Sequence, residues 1–99
     1  MNISVGELRE RLTSGNPLSI IDVREELEYH TFNIGGNNIP LGRLHTALDE
    51  ILTDKDEEIV VICQRGIRSL TAQKLLQASG YTNVRNLEGG LLAFQKLNS

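Results

Sequence analysis

Ile59-Val60-Val61-Ile62 is a nearly continuous β-branched run, and a strand of that kind has no face to leave in water. Runs like this belong in parallel sheets, where crossover helices cover both sides. Its flanks agree. Asp54-Lys55-Asp56-Glu57-Glu58 precedes it as a solvated turn, and a polar loop from Gln64 to Arg68, with Gly66 in it, follows. Leu18-Ser19-Ile20-Ile21-Asp22-Val23 predicts a second buried strand after Pro17, and Val84-Arg85-Asn86-Leu87 a short last one. Between and around these strands the period lengthens. Ser4-Val5-Gly6-Glu7 has the reciprocal capping spacing and opens a helix carrying Leu8 and Leu12 that stops near Gly15. Arg24 to Tyr29 reads as a short helical turn, and Ile34-Gly35-Gly36-Asn37-Asn38 as a loop before a new element at Ile39-Pro40. Leu44, Ala47, Leu48, Ile51 and Leu52 recur at helical spacing; from Ser69, so do Ala72, Leu75, Leu76 and Ser79, with Gly80 as the stop. Glu88-Gly89-Gly90 is a turn and Leu91 to Leu97 a closing helix. This alternation predicts an α/β fold: a small, open, largely parallel sheet flanked by helices, forming one domain over residues 1–99.

A chain of 99 residues holds one modest core, so chemistry must lie near its surface. The formal net charge of −3 argues against nucleic acid as a partner, because such binding needs a basic footprint. One cysteine and two histidines provide neither an internal disulfide nor a metal cluster, and nothing in the chain calls for a cofactor. No apolar run approaches the ~20 residues that span a bilayer, so no membrane partner is expected. The first residues lack a basic stretch followed by an apolar one, which makes a cytoplasmic location the expectation.

Cys63 stands at the carboxyl end of the buried run and immediately before a helix, the edge at which open parallel sheets bind ligands. A short loop entering a helix aims unpaired backbone N–H groups at its own concavity and so cradles anions. Gly66 lets the loop curl, while Arg65 and Arg68 add positive charge to an acidic chain. These features favour a thiolate over a thiol. The competing reading makes Cys63 a packed small hydrophobe with solvated arginines, since free cysteines are commonly buried. The adjoining loop favours the reactive thiol.

Asp22-Val23-Arg24 with Glu28-Tyr29, then Ile39-Pro40-Leu41, Cys63-Gln64-Arg65-Gly66-Ile67-Arg68-Ser69, and Asn86-Leu87-Glu88-Gly89-Gly90 together resemble the rhodanese-like sulfurtransferases over almost the whole chain. The resemblance implies a rhodanese-like fold and a sulfurtransferase of the thiosulfate type. In such enzymes the loop cysteine takes a sulfane sulfur from a small anionic donor such as thiosulfate, becomes a persulfide, and passes the sulfur to cyanide or a thiol, including a protein cysteine. It implies Cys63 as nucleophile, with Gln64, Arg65, Gly66, Ile67 and Arg68 forming the substrate pocket. The chain departs from the commonest pattern in two places. Phe32-Asn33-Ile34-Gly35-Gly36 stands where many members have Gly-His-Ile before Gly-Ala, and Phe94 stands where Trp is frequent.

Two other readings compete. Cysteine phosphatases of related architecture place five residues between cysteine and arginine, whereas Cys63 and Arg68 have four between them. The smaller cradle suits a persulfide sulfur better than a phosphate ester. A non-catalytic binding or regulatory module on the same fold is disfavoured by the presence of Cys63. Among the remaining residues, Asp22 and Arg24 are expected to pair locally, and His30 and His45 to lie at the surface. Gly89-Gly90 is expected to form a turn, and Tyr29, Phe32, Tyr81 and Phe94 to pack in the core.

Overall fold

The computed structural model describes residues 2–48, 51 and 54–97. Five strands, β1 (Asn2–Ile3), β2 (Ser19–Asp22), β3 (Asn37–Asn38), β4 (Ile59–Ile62) and β5 (Val84–Leu87), form one sheet in the order β1-β5-β4-β2-β3. Every pairing is parallel, with β4 central: Ile59 stands opposite Ser19 on one side and Val84 on the other. Five helices complete the fold: α1 (Val5–Thr13), α2 (Glu26–Thr31), α3 (Leu41–Leu44), α4 (Ile67–Ala78) and α5 (Gly90–Leu97). Among the described residues no helix is long and apolar enough to cross a membrane.

The β-branched run does what its composition demands. All four residues of β4 are fully buried, and their side chains divide by the two-residue period of a strand. Ile59 and Val61, followed by Cys63, pack with Ala72 and Leu76 of α4, Tyr81 and Val84. Val60 and Ile62 enter the opposite cluster with Ile3, Leu8 of α1, and Leu91 and Phe94 of α5. Each such side chain contributes about 1.5–3 kcal/mol of burial, so the sheet is clamped from both sides beneath the end that carries Cys63.

Several expectations need correction. Ser4 does cap α1, accepting from the Glu7 N–H at 3.1 Å, but the reciprocal half of the capping arrangement is absent. The Glu7 carboxylate instead accepts two bonds from Arg85 at 2.7 and 2.9 Å, a charge-assisted pairing stronger than a bond to a neutral backbone donor. Leu8 is buried, whereas Leu12 is 37% exposed. The loop expected at Ile34–Asn38 ends in strand β3, and Asn2–Ile3 adds strand β1, neither long enough to show a period. Of the helix expected through Leu44–Leu52, residues 49, 50 and 52 lie outside the described residues, and regular helix covers Leu41–Leu44. Beyond it the Ala47 N–H is shared between the carbonyls of Arg43 and Leu44, both at 3.1 Å, so successive tight turns carry Leu44 and Ala47 into the core. Leu52 lies outside the described residues. In the acidic stretch, Asp54, Asp56 and Glu57 are exposed as expected. Glu58 is not simply solvated: it accepts from Arg11 and Arg85, tying α1 to β5.

Candidate active site

β4 delivers Cys63 between β2 and β5, and the chain turns at once into α4, one residue pair earlier than the spacing from Ser69 indicated. Gly66 makes the turn. Its φ of +88° is a left-handed conformation that side chains with a Cβ disfavour, and it points the Gly66 N–H at Cys63 Sγ, 3.1 Å away. The Ser69 N–H donates to the same sulfur at 3.3 Å, and the Arg65 N–H assists. Burial opposes ionisation of this thiol. The donors converging on it outweigh that cost and hold its pKa below the ordinary thiol range: the Ser69 hydroxyl, then the N–H groups of Ser69, Arg65 and Gly66.

The Ser69 hydroxyl has two partners and one proton. Its Oγ lies 3.2 Å from Cys63 Sγ and donates to Oδ1 of Asn86. The Asn86 amide is itself oriented, because its Nδ2 donates to the Gly66 carbonyl at 3.1 Å, which leaves Oδ1 as an acceptor facing Ser69. While Cys63 is a thiol, its S–H can donate to Ser69 Oγ; once it is a thiolate, the hydroxyl must turn toward the sulfur. Ser69 and Asn86 are both buried. Both stand in the motifs that carry the family resemblance, but neither was assigned to the site, and Asn86 reaches the loop only across space from the neighbouring strand.

The loop is held from behind by α5. The Leu91 N–H donates to the Cys63 carbonyl at 2.9 Å and the Leu92 N–H to the Gln64 carbonyl at 3.0 Å, so the otherwise unpaired first donors of one helix anchor the start of the cradle. Gly90 permits this approach. A Cβ on it would lie 2.5 Å from the Gln64 carbonyl oxygen and 2.6 Å from the Arg65 nitrogen. The Gly89-Gly90 pair is thus more than the turn expected of it.

Asp22 and Arg24 pair locally, as expected: Arg24 Nη2 donates to Asp22 Oδ2 at 2.8 Å, and both residues are buried. Arg24 also donates to the carbonyls of Phe32 (2.7 Å) and Glu28 (3.3 Å), which fastens α2 beside the site. From α2, the Glu28 carboxylate accepts both terminal nitrogens of Arg68, at 2.7 and 2.9 Å. Arg68 therefore lines the thiol pocket with its charge already paired, whereas the sequence reading counted it with Arg65 as positive charge added to the loop. Arg65 is exposed and has no side-chain partner among the described residues.

Cys63, Gln64, Arg65, Ile67 and Arg68 line a shallow pocket of about 320 Å³. All five loop residues expected from the sequence are thus gathered at one place, Gly66 through its backbone and the others through the pocket wall. The cysteine itself is 1% exposed, so it forms the floor of the pocket and does not project from it. A neighbouring cleft of about 410 Å³ shares Gln64 and has Leu27, Glu28 and Phe32 in its wall. Leu27 is 79% exposed and Phe32 39%, which corrects the core placement expected for Phe32. Tyr81 and Phe94 are buried as expected; Tyr29 is half-buried, with its hydroxyl donating to the Gly36 carbonyl. His30 and His45 are exposed, and neither lines the pocket.

The Arg68 pairing has a consequence in acid. It is the chief cause that lowers the Glu28 carboxyl from 4.5 to about 2, and Glu58 beside Arg11 and Glu7 beside Arg85 are lowered too. A carboxylate with a depressed folded-state pKa stabilises the fold fully above its unfolded value, and that contribution is lost as pH falls. The melting temperature should therefore be level above about pH 5 and fall between pH 4.5 and 2. Glu28→Gln should flatten part of that fall, by an amount equivalent to about 1 kcal/mol because the pair is partly solvated. A Glu28→Gln acid profile identical to that of the parent would show that the pair adds nothing to stability.

Comparison with known proteins gives the same picture. A Mycobacterium tuberculosis protein named probable adenylyltransferase/sulfurtransferase MoeZ is 32% identical over 95 residues, which are 95% of this chain and 24% of that protein. The chain thus spans about a quarter of that relative. The thiosulfate:glutathione sulfurtransferase of Homo sapiens is 36% identical over 100 residues, covering 88% of this chain and 86% of its own length. The structure of the human single-domain sulfurtransferase TSTD1 superposes with a TM-score of 0.86 at 32% identity, covering 99% of this chain and 97% of that one. The family model for the rhodanese-like domain matches residues 4–97, and with a parallel sheet ending in this cysteine loop, the chain belongs to the rhodanese-like domain family.

Proposed function

We propose that the domain is a sulfurtransferase whose Cys63 thiolate takes a sulfane sulfur from thiosulfate or a similar small anionic donor, carries it as a persulfide, and yields it to cyanide or a thiol. The observation that carries this reading is the convergence on Cys63 Sγ of the Gly66 and Ser69 N–H groups, at 3.1 and 3.3 Å, on the floor of a pocket. In the loading step the thiolate attacks the outer sulfur of the donor. A new S–S bond forms, the donor's S–S bond breaks, and its electron pair leaves with sulfite. The same backbone donors then face a persulfide anion. In this reading the backbone from Gln64 to Arg68 forms the cradle and Arg65 offers an unpaired positive charge to the donor. Ile67, 72% exposed, forms an apolar rim.

The chain has one cysteine, so no second thiol within it can discharge the persulfide. The acceptor must reach the pocket from outside, either as a small molecule or as a cysteine presented by another protein. A loop one residue shorter than that of the related cysteine phosphatases supports sulfur over a phosphate ester as the cargo.

Intact-mass measurement tests the reading directly. Incubation with thiosulfate should add one sulfur atom to the protein, and a reducing agent should remove it. Loaded protein freed of donor should lose the sulfur to cyanide or a thiol and hold it much longer in buffer alone. No added mass, or an adduct that these acceptors leave in place, would end the proposal.

A further inference from the structure

Arg68 faces the thiol pocket, yet both of its terminal nitrogens donate to the two oxygens of Glu28. Fork-on-fork pairing uses the same geometry with which arginine recognises an oxyanion. Glu28 is not free to swing aside. The Glu25 N–H donates to its Oε1 at 3.1 Å, and Arg24, locked to buried Asp22, holds its carbonyl. A doubly charged donor therefore meets one unpaired arginine, Arg65, and at Arg68 it meets an ion pair with an exposed carboxylate edge.

We infer that Glu28 is a specificity-determining residue, which withholds Arg68 from dianionic donors and sets the pocket for singly charged sulfane-sulfur donors. This rests on the sulfur-transfer reading above and names its donor class. To use Arg68, thiosulfate must displace the carboxylate or crowd a second anion against the same guanidinium. A thiosulfonate anion, in which a carbon group replaces one charged oxygen of thiosulfate, needs no such displacement. Its transfer balances in the same way: the Cys63 thiolate bonds to the terminal sulfur, the donor S–S bond breaks, and a sulfinate leaves with the electron pair.

The two donors form a matched pair for the test. The second-order rate constant for loading Cys63 is measured by intact mass with thiosulfate and with methanethiosulfonate, in the parent, Glu28→Gln, Arg68→Ala and the double variant. Glu28→Gln should raise the thiosulfate-to-methanethiosulfonate ratio by about threefold to fivefold, the scale of one partly solvated ion pair. In the double variant the ratio should be that of Arg68→Ala alone, because the gain acts through Arg68. Glu28→Asp, which keeps the charge but shortens the reach, should raise the ratio by a smaller factor and serves if Glu28→Gln folds poorly. An unchanged or lowered ratio in a folded Glu28 variant overturns the inference, as does a gain that persists without Arg68. Failure of both donors to load the parent would instead count against sulfur transfer itself.

Discussion

A folded Cys63→Ser protein is expected to transfer no measurable sulfur, a loss of roughly a thousandfold or more, because an alcohol cannot form the S–S bond on which the cycle depends. The fold should survive. The residue is 1% exposed and the exchange of sulfur for oxygen hardly changes its volume. A buried hydroxyl at that place also finds partners waiting, since the Gly66 and Ser69 N–H groups and Ser69 Oγ all lie within 3.3 Å of the sulfur they now serve. Circular dichroism and a thermal melt establish that the variant is folded; cyanide-dependent thiocyanate formation then decides the matter. Turnover near the parent level by a folded Cys63→Ser protein would sink the mechanism.

Gly90→Ala should lower both stability and loading, though Gly90 touches no substrate. The added Cβ would meet the Gln64 carbonyl oxygen at 2.5 Å and the Arg65 nitrogen at 2.6 Å, and these are backbone atoms that cannot rotate away. The φ of +67° adds a left-handed penalty of about 1–2 kcal/mol. Relief requires the loop to move off α5, which breaks the Leu91–Cys63 and Leu92–Gln64 bonds and tilts the donors that face the sulfur. A loss of roughly 2–4 kcal/mol is expected, a drop in melting temperature on the order of 10–20 °C. Loading of the protein that remains folded should slow at least about tenfold. Gly6→Ala is the control: it lies in a helix, its new methyl would meet nothing nearer than 4.0 Å, and it should be neutral or slightly stabilising. If Gly90→Ala melts and loads like Gly6→Ala, α5 does not position the cradle.

What the sequence revealed, and what it hid, follows from range. β4, α4 and β5 were legible because each carries several consecutive residues of one period, and Cys63 stood out because a polar, glycine-containing loop follows a buried strand. The two-residue strands β1 and β3 offer no period, and they form only because β5 and β2 present edges to pair with. Over residues 45–48 the expected helix gave way to tight turns for the opposite reason, since such turns place apolar residues at nearly the same spacing as a helix does. At the site, the loop's own backbone was foreseen. The state of Arg68 was not: its partner lies 40 residues earlier, on a short helix whose position depends on the buried Asp22–Arg24 pair. Asn86 and Gly90 stood in a motif of the resemblance, but their contacts with the loop were hidden in the same way. Their effect on the loop exists only across space.

That dispersal links chemistry to folding. The donors that face the sulfur come from the Cys63 loop and the first turn of α4, while Asn86 on a neighbouring strand and the first turn of α5 hold that loop in place, with Glu28 steadying the rim from the other side. The loop supplies the donors, but its position depends on bonds from β5 and α5. The same dependence makes Cys63 an internal reporter: its rate of alkylation at neutral pH registers whether the most sequence-distant parts of the domain have found one another.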